Sequence, residues 1–195
     1  MTGRTDMAST AAEQVLRACE SSDFRHACDA RTVVPLYVAA DVVASFLDYS
    51  EDCAPTEAMG LLFGFRYQWQ GIPYTRVVHW EAGTGEHATS GGARLSADEI
   101  VTIRNRVEAR GGEKELGRVV GICHSHPFGV APVPSPTDHA TFCSFPYNFP
   151  GNAFLLVDPL VPAVRWYVIQ REEASGVEGT HAQRSLVPAA WVLVQ

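Results

Sequence analysis

The run His124-Ser125-His126-Pro127, followed nine and twelve residues after His126 by Ser135 and Asp138, constrains this chain more than any other feature. Gly-Arg-Val-Val-Gly-Ile-Cys directly before the pair predicts a strand over residues 117–126. Side chains alternate across a strand, so His124 and His126 project from one face with their bases roughly 6.6–7 Å apart. Both imidazoles then reach a single metal ion at the ~2.0–2.1 Å of a Zn–N bond.

In Ser135-Pro136-Thr137-Asp138 the serine suits a helix N-cap, the proline suits the first helical position, and the aspartate falls on the first turn. A strand carrying two histidines therefore runs through a Pro-rich loop into a helix start carrying a carboxylate. The expected product is a zinc site of His124, His126 and Asp138 with one position open for water. Alone, Ser-Pro-Thr-Asp would be a capping sequence and His-x-His an incidental pair. Their joint appearance, with Pro127 and Pro134 bounding the loop, points to metal.

This segment resembles the JAMM (MPN+) signature of the JAB-domain zinc metalloproteases, in which a distant glutamate precedes His-x-His, a short loop, Ser and Asp. Eight residues, 127–134, separate His126 from Ser135 here, one more than the family's usual spacing. The upstream glutamate corresponds to Glu57, in Pro55-Thr56-Glu57-Ala58-Met59-Gly60-Leu61-Leu62-Phe63-Gly64, similar to the family's glutamate leading into a Gly-Leu-Leu-x-Gly strand. The two matching segments lie 67 residues apart, from Glu57 to His124. Glu51 is the competing glutamate, but it lacks the apolar strand that should follow.

The resemblance covers roughly residues 32–170 and implies an α/β fold, a mixed curved β-sheet flanked by helices, of JAB/MPN and cytidine-deaminase-like architecture. It implies a compact, bacterial-type, deubiquitinase-like enzyme with one Zn2+ per chain. Glu57 would take a proton from water and pass it to the leaving amine, and Ser135 would hydrogen-bond the developing oxyanion. The implied reaction is isopeptide or peptide hydrolysis after the C-terminal glycine of ubiquitin or a ubiquitin-like protein. The implied partners are that protein or its conjugates, with activating and conjugating enzymes of a bacterial conjugation or antiphage pathway. An extended substrate tail is expected to pair with an exposed strand edge near the metal.

Alternatives within the same resemblance are processing of a ubiquitin-like sulfur carrier and a non-catalytic MPN scaffold. Intact Glu57, His124, His126, Ser135 and Asp138 argue against the scaffold. A DNA-repair-associated branch with a similar His-x-His-Pro signature is disfavoured by composition. A formal charge of −7 without any Lys/Arg run leaves no cluster of cations for phosphates, so no nucleic-acid partner is expected.

At 195 residues with 46% hydrophobic content the chain is long enough to bury a sizeable core. Residues 1–30, polar and Ala/Ser-rich, read as an N-terminal appendage with a short helix over Ala11–Ser21; residues 31–195 read as the metalloprotease domain. Five cysteines, at 19, 28, 53, 123 and 143, are odd in number and without Cys-x-x-Cys spacing, which fits a reducing cytoplasm. Cys123 is expected to face away from His124, and Cys143 falls about 140° around the helix from Asp138. Residues near the start carry no apolar core of signal-peptide type and no stretch approaches membrane-spanning length, so neither a secretory leader nor a membrane span is expected.

Periodicity places strands at Thr32–Val38, Gly60–Trp69, Ile72–Trp80, Ala153–Val157, Ala163–Gln170 and Pro188–Val194. Helices are expected at Ala40–Tyr49, after the capping box at Ser96-Ala97-Asp98-Glu99, and briefly after Ser135. Gly83–Arg94 lies where the family often carries a substrate-contacting insertion. His87 within it reads as an exposed loop histidine, and His139 as facing solvent or a partner outside the coordination sphere.

Overall fold

The computed structural model describes residues 34–69, 72–161, 163–171 and 184–194. The expected appendage, with its short helix, and Thr32 and Val33 of the expected first strand lie outside them. Within them β1 (Leu36–Ala39) runs directly into α1 (Ala40–Cys53), followed by β2 (Met59–Trp69) and β3 (Ile72–Ala82). Next come α2 (Ala97–Glu108), a short α3 (Gly112–Leu116) that periodicity did not anticipate, β4 (Arg118–Ser125) and α4 (Pro136–Phe142). The chain closes with β5 (Ala153–Asp158), β6 (Ala163–Arg171), β7 (Arg184–Pro188) and β8 (Trp191–Val194).

All eight strands form one mixed sheet in the order β7-β6-β5-β4-β2-β3-β1-β8. β4 pairs parallel with β5 and antiparallel with β2, so it is interior, and its C-terminal end faces the start of β2 through the register Met59↔His124. Alternation sorts the core into two faces. α1 lays Val42 and Phe46 on Leu62, Val77, Cys123 and Leu155. On the opposite face Ile103 and Val107 of α2 and Phe142 of α4 cover Leu61, Phe63, Ile122, Phe154 and Leu156. Each fully buried Leu or Phe contributes roughly 1.5–3 kcal/mol relative to exposure.

Both expected helix starts are made. Ser96 caps α2 reciprocally with Glu99, whose backbone N–H donates to the serine hydroxyl at 3.2 Å while Ser96 N–H donates to Glu99 Oε2 at 2.8 Å. Gly64, which closes the Gly-Leu-Leu-Phe-Gly run, is required sterically. A Cβ there would stand 1.9 Å from the Arg76 carbonyl oxygen across the β2–β3 pair. Beside it the register slips on both neighbouring strands, leaving Val78 of β3 and Val120 of β4 as bulged residues. Bulges increase local twist, and the sheet curls.

The curl corrects one expectation. Pro188–Val194 is not a single strand but the junction of two that lie at opposite edges of the sheet. β7 pairs with β6 up to Tyr167↔Pro188, and Ala189 N–H still donates to the Trp166 carbonyl at 2.9 Å. Ala190 then accepts from Leu36 N–H at 2.9 Å, and β8 continues beside β1. Two residues thus carry the chain from one edge to the other, with the Trp166 and Trp191 rings 6.3 Å apart at the seam. Hydrophobic patterning cannot report this, because both strands carry the same period.

Candidate metal centre

Three segments converge at the C-terminal end of β4. His124 lies on the strand, and His126 stands just beyond its end at Ser125, one residue short of the expected boundary. The ladder nevertheless extends to His126, whose N–H donates to the Val157 carbonyl at 2.8 Å. As the period-two argument requires, both rings emerge together, 4.9 Å apart and nearly perpendicular at 86°. Cys123 is buried on the opposite face, where burial pushes its thiol well above the usual value.

Asp138 arrives from α4. Ser135 caps that helix as expected: its hydroxyl accepts from Asp138 N–H at 3.1 Å, and its own N–H donates to Asp138 Oδ2 at 2.6 Å. The carboxylate therefore leans back over the helix start, toward the histidines. Asp138 Oδ1 lies 3.7 Å from His124 Nε2, and Oδ2 lies 3.3 Å from His126 Nε2. Burial alone would raise the Asp138 pKa. The hydrogen bond with His126, the Ser135 amide and the nearby His124 ring outweigh burial and hold it at about 2. Burial conversely disfavours a charged His126, but the Asp138 carboxylate raises its pKa, with smaller contributions from Glu57 and the Val133 backbone.

Glu57 arrives from the turn between α1 and β2 and is buried. Its Oε2 lies 3.1 Å from His124 Nε2, and ligand-capable atoms of Glu57, His124 and His126 all fall within 4.8 Å of one another. Glu51, the competing glutamate, is exposed on α1. Exposed too are His87 and His139, while Cys143 packs into the apolar cluster beneath α4.

Two observations test whether these residues suit a metal. Glu57 Oε2 is buried and accepts no hydrogen bond, although an imidazole nitrogen is close. A buried carboxylate oxygen left so costs about 1–3 kcal/mol or more unless a cation or a water it holds lies within reach. The His124 Nδ1 lies 3.1 Å from the Ala58 carbonyl, which can only accept, so Nδ1 carries the proton and Nε2 presents its lone pair to the cluster. Tetrahedral ligands at 2.0–2.1 Å have mutual separations of about 3.3–3.4 Å. The His126 Nε2–Asp138 Oδ2 distance of 3.3 Å matches that edge, while His124 Nε2 faces the other carboxylate oxygen, Oδ1, at 3.7 Å; the group whose ligand atoms all lie within 4.8 Å is Glu57, His124 and His126. Two imidazoles flanked by the Glu57 and Asp138 carboxylates are a donor set that fits zinc.

Ser125, the middle residue of His-Ser-His, was not singled out by sequence reasoning and is fully buried. Its backbone N–H donates to the Ala58 carbonyl at 2.9 Å, and its hydroxyl accepts from Ala58 N–H at 2.7 Å. The signal was available: a serine alternating with two histidines must point into the sheet's other, apolar face, where it needs a partner.

The segment after β3 approaches the same place. Glu57 N–H donates to the Thr89 carbonyl at 2.9 Å, and Thr89 forms an isolated antiparallel bridge with Gly92. A cavity of about 170 Å³ adjoins Glu57, walled by Tyr49, Gly83, Thr84, Ala88 and Arg94 among others. The centre sits at the end of interior strand β4 of the sheet. A larger cavity of about 880 Å³, between α2 and residues 146–152, contains none of the centre's residues.

Comparison with known proteins gives a consistent picture. The family model for prokaryotic homologs of the JAB domain matches residues 39–182. Among curated proteins none matches the chain. The fold is similar to the solution structure of a protein from Desulfitobacterium hafniense, at 18% identity over 82% of this chain and 93% of that one, with a TM-score of 0.52.

Proposed function

This chain belongs to the family of prokaryotic JAB-domain homologs, and on that premise we propose that it is a zinc-dependent isopeptidase or peptidase cleaving after the C-terminal glycine of a ubiquitin-like protein. The reading is carried by one observation: Glu57, with an unsatisfied buried oxygen, stands against His124 at the point where His126 and Asp138 also meet.

His124, His126 and Asp138 would hold the ion. Zinc there supplies Lewis acidity that brings the pKa of a water toward about 7. Glu57 takes a proton from the attacking water and delivers it to the amide nitrogen as the C–N bond breaks, leaving a carboxylate and a free amine. A positioned base of this kind contributes about 10²–10⁴-fold. Ser135 spends one lone pair on the Asp138 amide, and its O–H proton stays free to donate to the developing oxyanion.

The wall beside Glu57 favours a substrate with little side chain. That cavity holds only about 170 Å³, walled by Tyr49, Met59 and Leu95 as well as by Gly83 and Ala88, so a glycine-rich tail is the shape it suits. Ubiquitin-like proteins or their conjugates are thus the proposed substrates.

The test is incubation of the zinc-loaded protein with a ubiquitin-like protein bearing a short C-terminal extension, followed by mass analysis of the products. Cleavage after the terminal glycine is expected. Full zinc occupancy without cleavage of peptide or isopeptide substrates would instead favour the scaffold reading.

A further inference from the structure

Asp158 is the last residue of β5 and is fully buried. Its carboxylate is occupied by backbone amides: Oδ2 accepts from Phe128 N–H at 3.1 Å and from Val130 N–H at 3.0 Å, and Oδ1 accepts from Leu160 N–H at 2.9 Å. Burying a carboxylate costs several kcal/mol unless its oxygens are well satisfied, and charge-assisted bonds of this kind are the strong ones. An isolated core position gains nothing from such a group; here it holds a loop.

That loop is residues 127–134, the one carrying the extra residue. Pro127-Phe128-Gly129-Val130-Ala131-Pro132-Val133-Pro134 contains no polar side chain, so only its backbone can hydrogen-bond: Phe128 N–H, shared with Asp158, also donates to the His126 carbonyl at 2.8 Å. Gly129 turns the chain at φ 73°, a conformation that glycine adopts without steric cost. Phe128 and Val130, on either side of that turn, are the two residues Asp158 grips. The loop starts at His126 and ends at Ser135, the cap that sets Asp138. Its other contacts also touch the centre: the Phe128 ring lies 5.3 Å from the His126 ring, and the Val133 backbone hydrogen-bonds His126.

We propose that Asp158 is a positioning residue for the metal centre, setting the path of loop 127–134 through the amides of Phe128 and Val130 and thereby the placement of His126 relative to Asp138. The inference rests on the zinc reading above. It adds a residue that touches neither the ion nor the substrate and lies 20 positions beyond Asp138 in the chain.

The experiment measures Zn2+ affinity by competition titration, together with proteolysis of the loop by chymotrypsin and elastase, on wild type, Asp158→Asn and Val168→Ala. The asparagine keeps the shape but replaces one accepting oxygen with a donor. It is expected to weaken Zn2+ binding about tenfold, the lower end of the range for groups that support ligands, and to admit cleavage between Phe128 and Val133. Val168→Ala, a core truncation on β6, lowers stability and leaves Zn2+ affinity unchanged. Should Asp158→Asn fail to fold, Val130→Pro, which deletes one of the three donors, is judged on the same two readouts. Wild-type Zn2+ affinity with an uncut loop in the folded variant overturns the assignment. Absence of Zn2+ binding in wild type itself removes the metal reading, a result distinct from equal binding in both proteins.

Discussion

Ala58 and Ser125 exchange two hydrogen bonds, at 2.9 Å from Ser125 N–H to the Ala58 carbonyl and 2.7 Å from Ala58 N–H to the Ser125 hydroxyl, and so join the Glu57 turn to the histidine strand. The same Ala58 carbonyl lies 3.1 Å from His124 Nδ1. The backbone of one residue, Ala58, therefore sets both where Glu57 stands and which nitrogen of His124 is free.

Ser125→Ala should consequently act on stability and on the centre together. Leaving the Ala58 amide buried without an acceptor costs about 1–3 kcal/mol. Chemical denaturation is expected to show that loss, and Zn2+ titration a weaker site; Ser125→Ala with unchanged Zn2+ affinity would confine the serine to folding.

Glu57→Gln separates metal binding from chemistry. The amide keeps the size of the side chain but cannot take up the proton, so zinc content stays at one per chain while hydrolysis falls at least about 10²-fold. His126→Ala and Asp138→Ala should lose the metal. Full zinc after either of those two substitutions, by elemental analysis, contradicts the ligand assignment.

Ser135 holds a cap and is proposed to hold an oxyanion, and two substitutions divide these roles. Ser135→Ala should cost about 1 kcal/mol of stability, and Ser135→Gly only a few tenths. Both remove the hydroxyl proton, so both should lower kcat by a similar factor of about 10²–10³. A kcat that instead tracks the stability difference would reduce Ser135 to a cap.

Acid stability should contain a contribution from Glu99. Burial works against its ionisation, but donation from the Ser96 amide and from the Thr84 hydroxyl and amide holds its pKa at about 2, below the usual 4.5. A depressed folded-state pKa stabilises above the unfolded value, and that contribution is lost as pH falls from about 4.5 toward 2. Glu99→Gln is expected to lower Tm at pH 7 and to flatten the fall of Tm between pH 5 and 3. An unchanged slope there would assign the acid limb to other carboxylates.

Short-range order was the legible part of this protein. The His124/His126 pair shares a face because a strand has period two, and the capping boxes at Ser96 and Ser135 formed because a side chain needs only its own next three residues to make them. The glutamate motif was readable through resemblance, and Gly64 has a local steric reason in the Arg76 carbonyl.

What the tertiary structure alone decided is long-range and polar. The register Met59↔His124 brings Glu57 to the histidines, and the sheet's curl lets residues 188–191 pass from one edge to the other. Asp158 meets amides 28 and 30 residues earlier in the chain. Periodicity reports which face a side chain occupies, since that depends on a few neighbouring dihedrals. Which distant backbone group meets a buried carboxylate or serine depends on how the whole sheet twists and closes, and no local window of sequence contains that information.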